Sequence, residues 1–349
     1  MKADENAGSS SGYAGAFGIN YALRPHKFVD RRLFMEVLSR FSNFLPLQNH
    51  AYVGLGSFAM EDHKLVNASF GTQVLISLEV EPDVVARQRF NAPLSCITAT
   101  QHSTDDFVLS RAAILKEGGA SPEANVIAWF DMTDAQPVSV YLDTFASLLR
   151  EGEIGDFIRF TVDVDGKTLA RKREDEKYEV LRNRRFDKLR ELLGTRLKRG
   201  ATPQDLDDDL GIARLILHAF ELATDEVFHL DARRIFEPLS LTTYADGHRM
   251  LSVSGSILGR DTVQECRARM HLENVPGGAG DWEALTNIQI PQLTVWEKLS
   301  LDRRIPAADA AELAAMLNFR LHETIETTTL LSGYSTFHRF YPNFRHFVL

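Results

Sequence analysis

The feature that most constrains the fold is the segment at residues 51–81. It reads as a short apolar strand, a glycine turn, a polar helical stretch, a second apolar strand and then an acid, Glu79. Gly54 and Gly56 allow a sharp backbone turn and a close approach of a ligand to the chain. We expect the helix to begin near Ser57 and to point its N-terminus at that ligand. The segment therefore predicts one half of a nucleoside-binding parallel sheet.

The spacing within this segment leaves two kinds of cofactor open. Glu79 lies 23 residues after Gly56, about the distance at which an acid accepts hydrogen bonds from ribose hydroxyls. Gly54-x-Gly56-x-x-Ala59 satisfies the looser form of the dinucleotide pattern. S-adenosylmethionine binds at the same corner of a similar sheet. A third interpretation of the segment involves no cofactor: a plain strand–helix turn followed by a surface glutamate.

Strands and helices alternate from a helix at residues 26–44 as far as residue 164. The segment Asn125–Phe130 is almost continuously apolar, which is typical of a strand buried on both faces. The alternation predicts an α/β fold with a doubly wound, mostly parallel sheet, whose ligands bind at the carboxyl ends of the strands. The predicted strands are Ala51–Val53, Val74–Leu78, Cys96–Thr100, Asn125–Phe130 and Asp156–Val164, and the predicted helices between them are 57–70, 83–91, 103–117 and 138–150.

A basic segment follows the fifth predicted strand. Residues 167–200 hold 13 Lys or Arg against 6 Asp or Glu, and we expect most of them in one long helix. Acidic residues at 205–209 and an apolar helix at 210–223 complete a predicted helical insertion. The basic helix at 167–199 has two interpretations: a solvated surface, or an electrostatic surface for nucleic acid or another acidic partner.

Two apolar segments flanking an Asp-Gly step predict a late antiparallel hairpin. Pro238–Thr243 and Met250–Ile257 alternate in polarity, and Asp246-Gly247 favours a tight primed turn between them. A further helix is expected at 307–321, before an aromatic and basic tail. The predicted organisation is a seven-stranded sheet with a flexible arm at 1–18, a cofactor-binding core at 19–166, a helical insertion at 167–230, and the end of the sheet with its tail at 231–349.

The composition restricts the classes of protein. A formal charge of −9 argues against wholesale wrapping of nucleic acid but not against a local basic surface. Two cysteines, Cys96 and Cys266, are too few for a disulfide framework and predict reduced thiols in a cytoplasmic protein. No apolar segment reaches the roughly 18 residues of a transmembrane helix. The first 18 residues lack the charged start and apolar centre of a secretion signal.

A parallel sheet closed by a late hairpin resembles the class I S-adenosylmethionine-dependent methyltransferase fold. Several motifs resemble, more specifically, a bacterial family of O-methyltransferases. The match covers about residues 18–165 and, more loosely, the hairpin. The motifs that carry it are Asn20-Tyr21-x-Leu23-Arg24-Pro25-x-Lys27, Tyr52-Val53-Gly54-Leu55-Gly56-Ser57, Ile76-Ser77-Leu78-Glu79 and Trp129-Phe130-Asp131.

The resemblance implies where S-adenosylmethionine would bind. Gly54 and Gly56 would lie against its methionine moiety, and Glu79 would hold its ribose. The turn after the third strand, with Gln101 and His102, would flank the adenine.

The resemblance also shows one departure from the family's pattern. Many methyltransferases carry an acid two residues before the first glycine, where this chain has Tyr52. Tyr52, Ser57 and Asp131 complete the predicted cofactor-binding set.

The predicted chemistry needs few residues. Methyl transfer from a sulfonium is an in-line displacement, so the protein positions two reactants and removes a proton. Asp131 is the first candidate for the base, Asp134 the second and His102 the third; each could instead be a helix cap or a structural anchor. Asp131 and Asp134 could supply two oxygen ligands to a metal, but no third ligand is identifiable, so no metal is predicted.

Three functions are compatible with this sequence. An S-adenosylmethionine-dependent methyltransferase of unknown acceptor, with O-methylation as one possibility, comes first. Asp131 is not followed by the Pro-Pro-aromatic sequence of enzymes that methylate amino groups of DNA. A catalytically inactive protein that keeps the fold as a sensor or assembly module is the second, and an NAD-dependent oxidoreductase is the third. The oligomeric state is not predicted.

Overall fold

A computed structural model describes residues 24–132 and 137–343. The predicted arm at 1–18 lies outside these residues, and so do Asn20 to Leu23 of the first motif. Asp134, the second candidate base, also lies outside them.

One central sheet organises the described chain. Its strands are β1 Ala51–Gly54, β2 Val74–Leu78, β3 Ile97–Thr100, β4 Val126–Met132, β5 Phe157–Asp163, β6 Arg234–Ala245, β7 Arg249–Gly259 and β8 Thr286–Asn287. The order across the sheet is β3-β2-β1-β4-β5-β7-β6-β8. Strands β1 to β5 are parallel, and β7 runs antiparallel between β5 and β6. The predicted fold class is confirmed, and β8 adds a two-residue edge to the seven predicted strands.

Helices connect these strands and cover both faces of the sheet. The α-helices in the described residues are α1 Pro25–Phe41, α2 Glu61–Phe70, α3 Pro82–Asn91, α4 Thr104–Glu117, α5 Val138–Arg150, α6 Gly166–Leu169, α7 Tyr178–Leu193, α8 Gly211–Phe228, α9 Val263–Met270, α10 Val295–Asp302, α11 Ala310–Leu317 and α12 Thr327–Phe337. None of them is long and apolar enough to cross a membrane.

Aromatic contacts fix the helices on the two faces. On one face, the ring centroid of Phe145 in α5 lies 5.6 Å from that of Phe160 in β5 and 4.9 Å from that of Phe220 in α8. On the other face, Phe34 of α1 lies 5.0 Å from Trp129 of β4. Helix α8 belongs to the predicted insertion, so this insertion covers one face of the sheet. Strand β4 is buried on both sides, which explains its continuous apolar sequence.

The helix after the glycine turn begins later than predicted. We expected it near Ser57, but α2 begins at Glu61 after a loop. Met60 precedes the helix with a φ of +46° and a buried side chain. A residue in this left-handed region cannot continue an α-helix towards the N-terminus. The prediction that the helix starts at Ser57 was therefore wrong.

The basic segment is not one long helix. It consists of the short α6, a non-helical stretch at 170–177 and then α7. Asp175 adopts a φ of +55° within that stretch. This left-handed conformation cannot be part of a right-handed α-helix, so the helix is interrupted there. The prediction of a continuous helix over 167–199 was wrong, although the helical insertion itself is present.

The C-terminal half differs from the predictions in two details. The connection between β6 and β7 spans three residues, Asp246 to His248, because Ala245 pairs with Arg249. Gly247 has a φ of +100° there, so a glycine is needed, but the turn is longer than the tight one expected. Helix α11 is shorter than the predicted helix at 307–321, since Asp309 caps its start and Asn318 ends it with a φ of +56°.

Candidate functional site

The first glycine of the turn is required by a neighbour within the protein. A Cβ atom at Gly54 would lie 2.8 Å from the hydroxyl of Tyr52. The Tyr52 ring is buried and contacts the ring of His63 edge to face at 4.8 Å. Burial, and secondarily the charge of Asp62, raise the pKa of Tyr52 well above its usual value. Tyr52 is therefore a neutral support beneath the turn, and its binding role stays a prediction.

The second glycine is fixed by a closed ring of hydrogen bonds. The amide of Gly56 donates to Ser77 Oγ at 3.1 Å, and this hydroxyl donates to Gln88 Oε1 at 3.0 Å. Gln88 Nε2 donates back to the carbonyl of Gly56. A Cβ atom at Gly56 would collide with Ser77 Oγ. The ring holds the turn against β2 and α3.

Sequence reasoning did not assign Ser77 and Gln88 to this site. Both side chains are fully buried, and a buried polar group is favourable only when its hydrogen bonds are made. The serine within the otherwise apolar Val74–Leu78 was the one signal available. Ser57, by contrast, is partly exposed and its hydroxyl lies 3.4 Å from the amide of Ala59.

The predicted ribose acceptor is held at the carboxyl edge of the sheet. Glu79 follows β2, and its amide donates to the carbonyl of Thr100 in β3. Its Oε1 accepts from the amides of Val80 and Glu81 at 2.8 and 3.1 Å. Within the described residues its Oε2 makes no hydrogen bond. The carboxylate is thus oriented by one oxygen and can accept from a ligand with the other.

The residues predicted to flank the adenine connect neighbouring loops. Gln101 Nε2 donates to the carbonyl of Val80 at 3.3 Å, which joins the turn after β3 to the turn after β2. His102 Nε2 lies 2.9 Å from Glu117 Oε2 at the far end of α4. Helix α4 is interrupted at Ser110, with φ −134° and ψ 31°. His102 therefore has a carboxylate partner at Nε2, and its role as a base stays a prediction.

Asp131 lies near the carboxyl end of β4 and faces α1. Its Oδ2 lies 2.5 Å from Lys27 Nζ. Its Oδ1 is buried and has no hydrogen-bond partner in the described residues. The Lys27 side chain is 7% exposed and that of Asp131 is 18% exposed, so the ammonium and the carboxylate neutralise each other in a largely buried position. Lys27 belongs to the first family motif, yet sequence reasoning gave it no role.

Helix α1 carries two further charged residues on the face that contacts the sheet. Asp30 pairs with Arg159 of β5 and accepts a hydrogen bond from Thr242 of β6. Arg31 pairs with Asp62 of α2. Charged side chains are rarely buried unless they are paired. The helix predicted at residues 26–44 was assigned neither of these ion pairs.

The hairpin fixes the start of α1 and therefore the position of Lys27. Asp246 Oδ2 accepts from the Lys27 amide at 2.7 Å, and Oδ1 lies 2.8 Å from His26 Nδ1. Burial alone would raise the pKa of Asp246, but the hydrogen bonds from His26 and Lys27 lower it overall. Amides in the first turn of a helix need such an acceptor. Here it comes from a residue 219 positions away.

No three metal-ligating side chains come together within residues 24–132 and 137–343. Asp131 faces the ammonium of Lys27. The positive charge of this ammonium would repel a metal ion at the same carboxylate. Asp134 lies outside the described residues, so the arrangement of these two aspartates stays a prediction.

Five of the 13 cations of the basic segment form ion pairs within the described part of the chain. Arg182 pairs with Asp207 at 2.7 Å and Arg184 with Glu176 at 2.6 Å. Arg196 contacts both Asp143 and Glu226. The acidic residues after the segment therefore neutralise part of its charge, which favours the interpretation as a solvated surface.

These features define a class of protein. A sheet of this order with an antiparallel seventh strand, and a glycine turn followed by an acid at its carboxyl edge, is the fold of class I methyltransferases. The chain belongs to the family described as "Putative O-methyltransferase", whose model matches residues 19–349. The predicted resemblance to an O-methyltransferase family is confirmed, and the match extends beyond residues 18–165 to residue 349.

Other comparisons gave distant similarities. A search of curated proteins gave no match. Among solved structures, the plantazolicin methyltransferase BpumL in complex with SAH is 8% identical, with a TM-score of 0.35 over 66% of this chain and 85% of that one. Trm1 from Pyrococcus horikoshii, with S-adenosyl-L-methionine, is 9% identical, with a TM-score of 0.37 over 66% and 55%. A probable spermidine synthase from Corynebacterium glutamicum is 12% identical, with a TM-score of 0.39 over 72% of each chain. The assignment of the chain to a methyltransferase family comes from the family match.

Proposed function

We propose that the protein transfers a methyl group from S-adenosylmethionine to a hydroxyl of its acceptor. The observation that carries this proposal is the glycine turn, held by Ser77 and Gln88 next to the oriented carboxylate of Glu79. Membership of an O-methyltransferase family supports it. The family match also favours methyl transfer over the oxidoreductase alternative.

The residues present fit this cofactor. The Glu79 carboxylate has an oxygen available for ribose hydroxyls, and Gln101 fixes the neighbouring loop for the adenine. The turn at Gly54–Gly56 would hold the methionine moiety. When bound, S-adenosylmethionine supplies a methyl group on a sulfonium, so the protein's own task is to place the acceptor in line with it.

Asp131 is our candidate for the base. Its Oδ1 is buried without a partner in the described residues, and an acceptor hydroxyl at that atom would give it one. Lys27 holds the other carboxylate oxygen and so positions the group. Asp131 would orient the hydroxyl and take up its proton as the new bond forms.

A binding measurement tests the cofactor directly. We expect S-adenosylhomocysteine to raise the melting temperature and to show saturable heat in calorimetry, since a ligand at 100 times its dissociation constant stabilises by about 2.7 kcal/mol. NADH should do neither. Stabilisation by NADH alone would contradict the proposal. Binding without methyl transfer to any of a broad panel of hydroxylated acceptors would favour the sensor or assembly module.

We further propose that any acidic partner binds the loop at 171–173 rather than α7. Arg171, Lys172 and Arg173 are exposed and form no ion pair within the described residues. In α7, by contrast, Arg182 and Arg184 have the partners given above and Arg190 pairs with Asp187. Arg185 donates a hydrogen bond to the carbonyl of Ala170. This makes the loop the best candidate for an electrostatic contact.

A further inference from the structure

A groove lies between helix α1 and the last described residues of the chain. Its volume is about 380 Å³, within the range of about 300–1,000 Å³ typical of small-molecule sites. The groove is separate from the candidate cofactor site. Glu79, Asp131 and the residues that hold the glycine turn do not line it. Its lining includes Phe28, Arg32, Met35, Phe70, Arg339 and Phe340.

Two arginines give this groove a positive charge. Arg32 and Arg339 are exposed, and neither has a carboxylate within 4.0 Å in the described part of the chain. The groove's own carboxylate, Glu36, is paired with Arg40 at 3.0 Å. The lining therefore keeps two uncompensated guanidinium groups on a chain whose formal charge is −9.

Aromatic rings surround these charges. The guanidinium of Arg32 lies 5.5 Å from the ring centre of Phe28, and that of Arg339 lies 5.4 Å from the ring centre of Phe340. Phe70 contributes a third ring. Stacking on a ring restricts a guanidinium while leaving its N–H groups available. The walls thus offer apolar planar surface and oriented donors together.

We propose that this groove binds a planar aromatic carboxylate. Guanidinium groups bind carboxylates in a bidentate, planar geometry, and the ring of the ligand would pack against the phenylalanines. An inorganic anion would leave the rings uncovered, and a neutral aromatic molecule would leave the donors unpaired. The proposal concerns binding alone and does not depend on methyl transfer.

Binding of 2-naphthoate, measured by calorimetry without cofactor, tests the proposal. We expect saturable binding to the wild-type protein and about tenfold weaker binding in R32Q and in R339Q, because each loses charge-assisted hydrogen bonds. R303Q, which removes an exposed arginine elsewhere, is the matched control and should bind like the wild type. All three variants should keep the wild-type melting temperature, since the three side chains are exposed.

Two matched probes identify what the groove recognises. We expect 2-naphthamide, which lacks the charge, and acetate, which lacks the ring, to bind at least tenfold more weakly than 2-naphthoate. Equal binding of either probe would overturn the assignment to an aromatic carboxylate. Absence of saturable 2-naphthoate binding, or an equal loss in R303Q, would overturn the site.

Discussion

At the scale of single residues, hydrogen bonds from neighbouring groups hold the side chains of the candidate site in place. Glu79 is oriented by two amides of its own turn, so it loses little freedom when a ligand binds. Ser77 and Gln88 complete a ring with Gly56 that any side chain at position 56 would break. Such preorganisation is what makes a short turn suitable for binding.

Replacing Glu79 by Ala should weaken cofactor binding. The loss of a charge-assisted hydrogen bond to ribose costs about 1.5–3 kcal/mol. Calorimetry with S-adenosylhomocysteine measures the difference. Glu81→Ala, two residues further along the same turn, is the matched control and should bind normally. Unchanged affinity in the Glu79 variant would remove Glu79 from the cofactor site.

The Asp131→Asn variant should separate turnover from binding. It keeps the shape of the side chain and removes its charge, so methyl transfer should fall by roughly 100-fold or more if Asp131 is the base. The affinity for S-adenosylhomocysteine should survive. Asp187→Asn, at an exposed carboxylate that pairs with Arg190 on α7, is the control. A full methyl-transfer rate in the Asp131 variant would reduce Asp131 to an anchor for Lys27.

At the scale of elements, helix α1 connects the hairpin to the site. Asp246 binds the amides at the start of α1, and Lys27 in the same turn reaches Asp131. Because buried ion pairs are sensitive to the loss of one partner, the orientation of α1 should control the site. The hairpin is thus a structural support for the candidate base.

Asp246→Ala should destabilise the protein by about 1–2 kcal/mol, the usual cost of a lost helix cap. The pKa of Asp246 is lowered in the folded state, so its contribution is complete above its unfolded pKa of about 3.9 and is lost as the pH falls through its folded value. Chemical denaturation at neutral pH should therefore show a larger difference from the wild type than denaturation at acidic pH. A difference independent of pH would contradict the role of the carboxylate.

At the scale of the whole molecule, local sequence patterns predicted the strands of the sheet. They did not predict the contacts between residues that are far apart in the sequence. The alternation of strands and helices placed five strands, and the Asp-Gly step placed the two strands of the late hairpin, because each of these signals lies within a few residues. Asp246 and Lys27 are 219 positions apart, and Arg159 and Asp30 are 129 apart. Such pairs depend on how the elements pack, and no spacing in the sequence encodes them. The helix start at Glu61 was not predicted, because the residue with the left-handed backbone before it is Met60 and not a glycine, which would have indicated the turn.

The distribution of charge over the whole chain makes a last prediction. If an acidic partner binds the loop at 171–173, its affinity should fall with salt with a log–log slope of about −0.9 per phosphate contact for duplex DNA, or about −0.7 for single strands. Reversal of Arg171, Lys172 and Arg173 to Glu should then abolish most of that slope. The matched control, Arg182→Glu with Arg190→Glu, affects arginines already paired with Asp207 and Asp187 and should change the slope little. Fluorescence anisotropy with a labelled DNA of about 20 nucleotides, single- or double-stranded, measures the salt dependence of binding for both variants. A flat salt dependence in the wild-type protein would mean that the whole segment is a solvated surface and that the acceptor is not a nucleic acid.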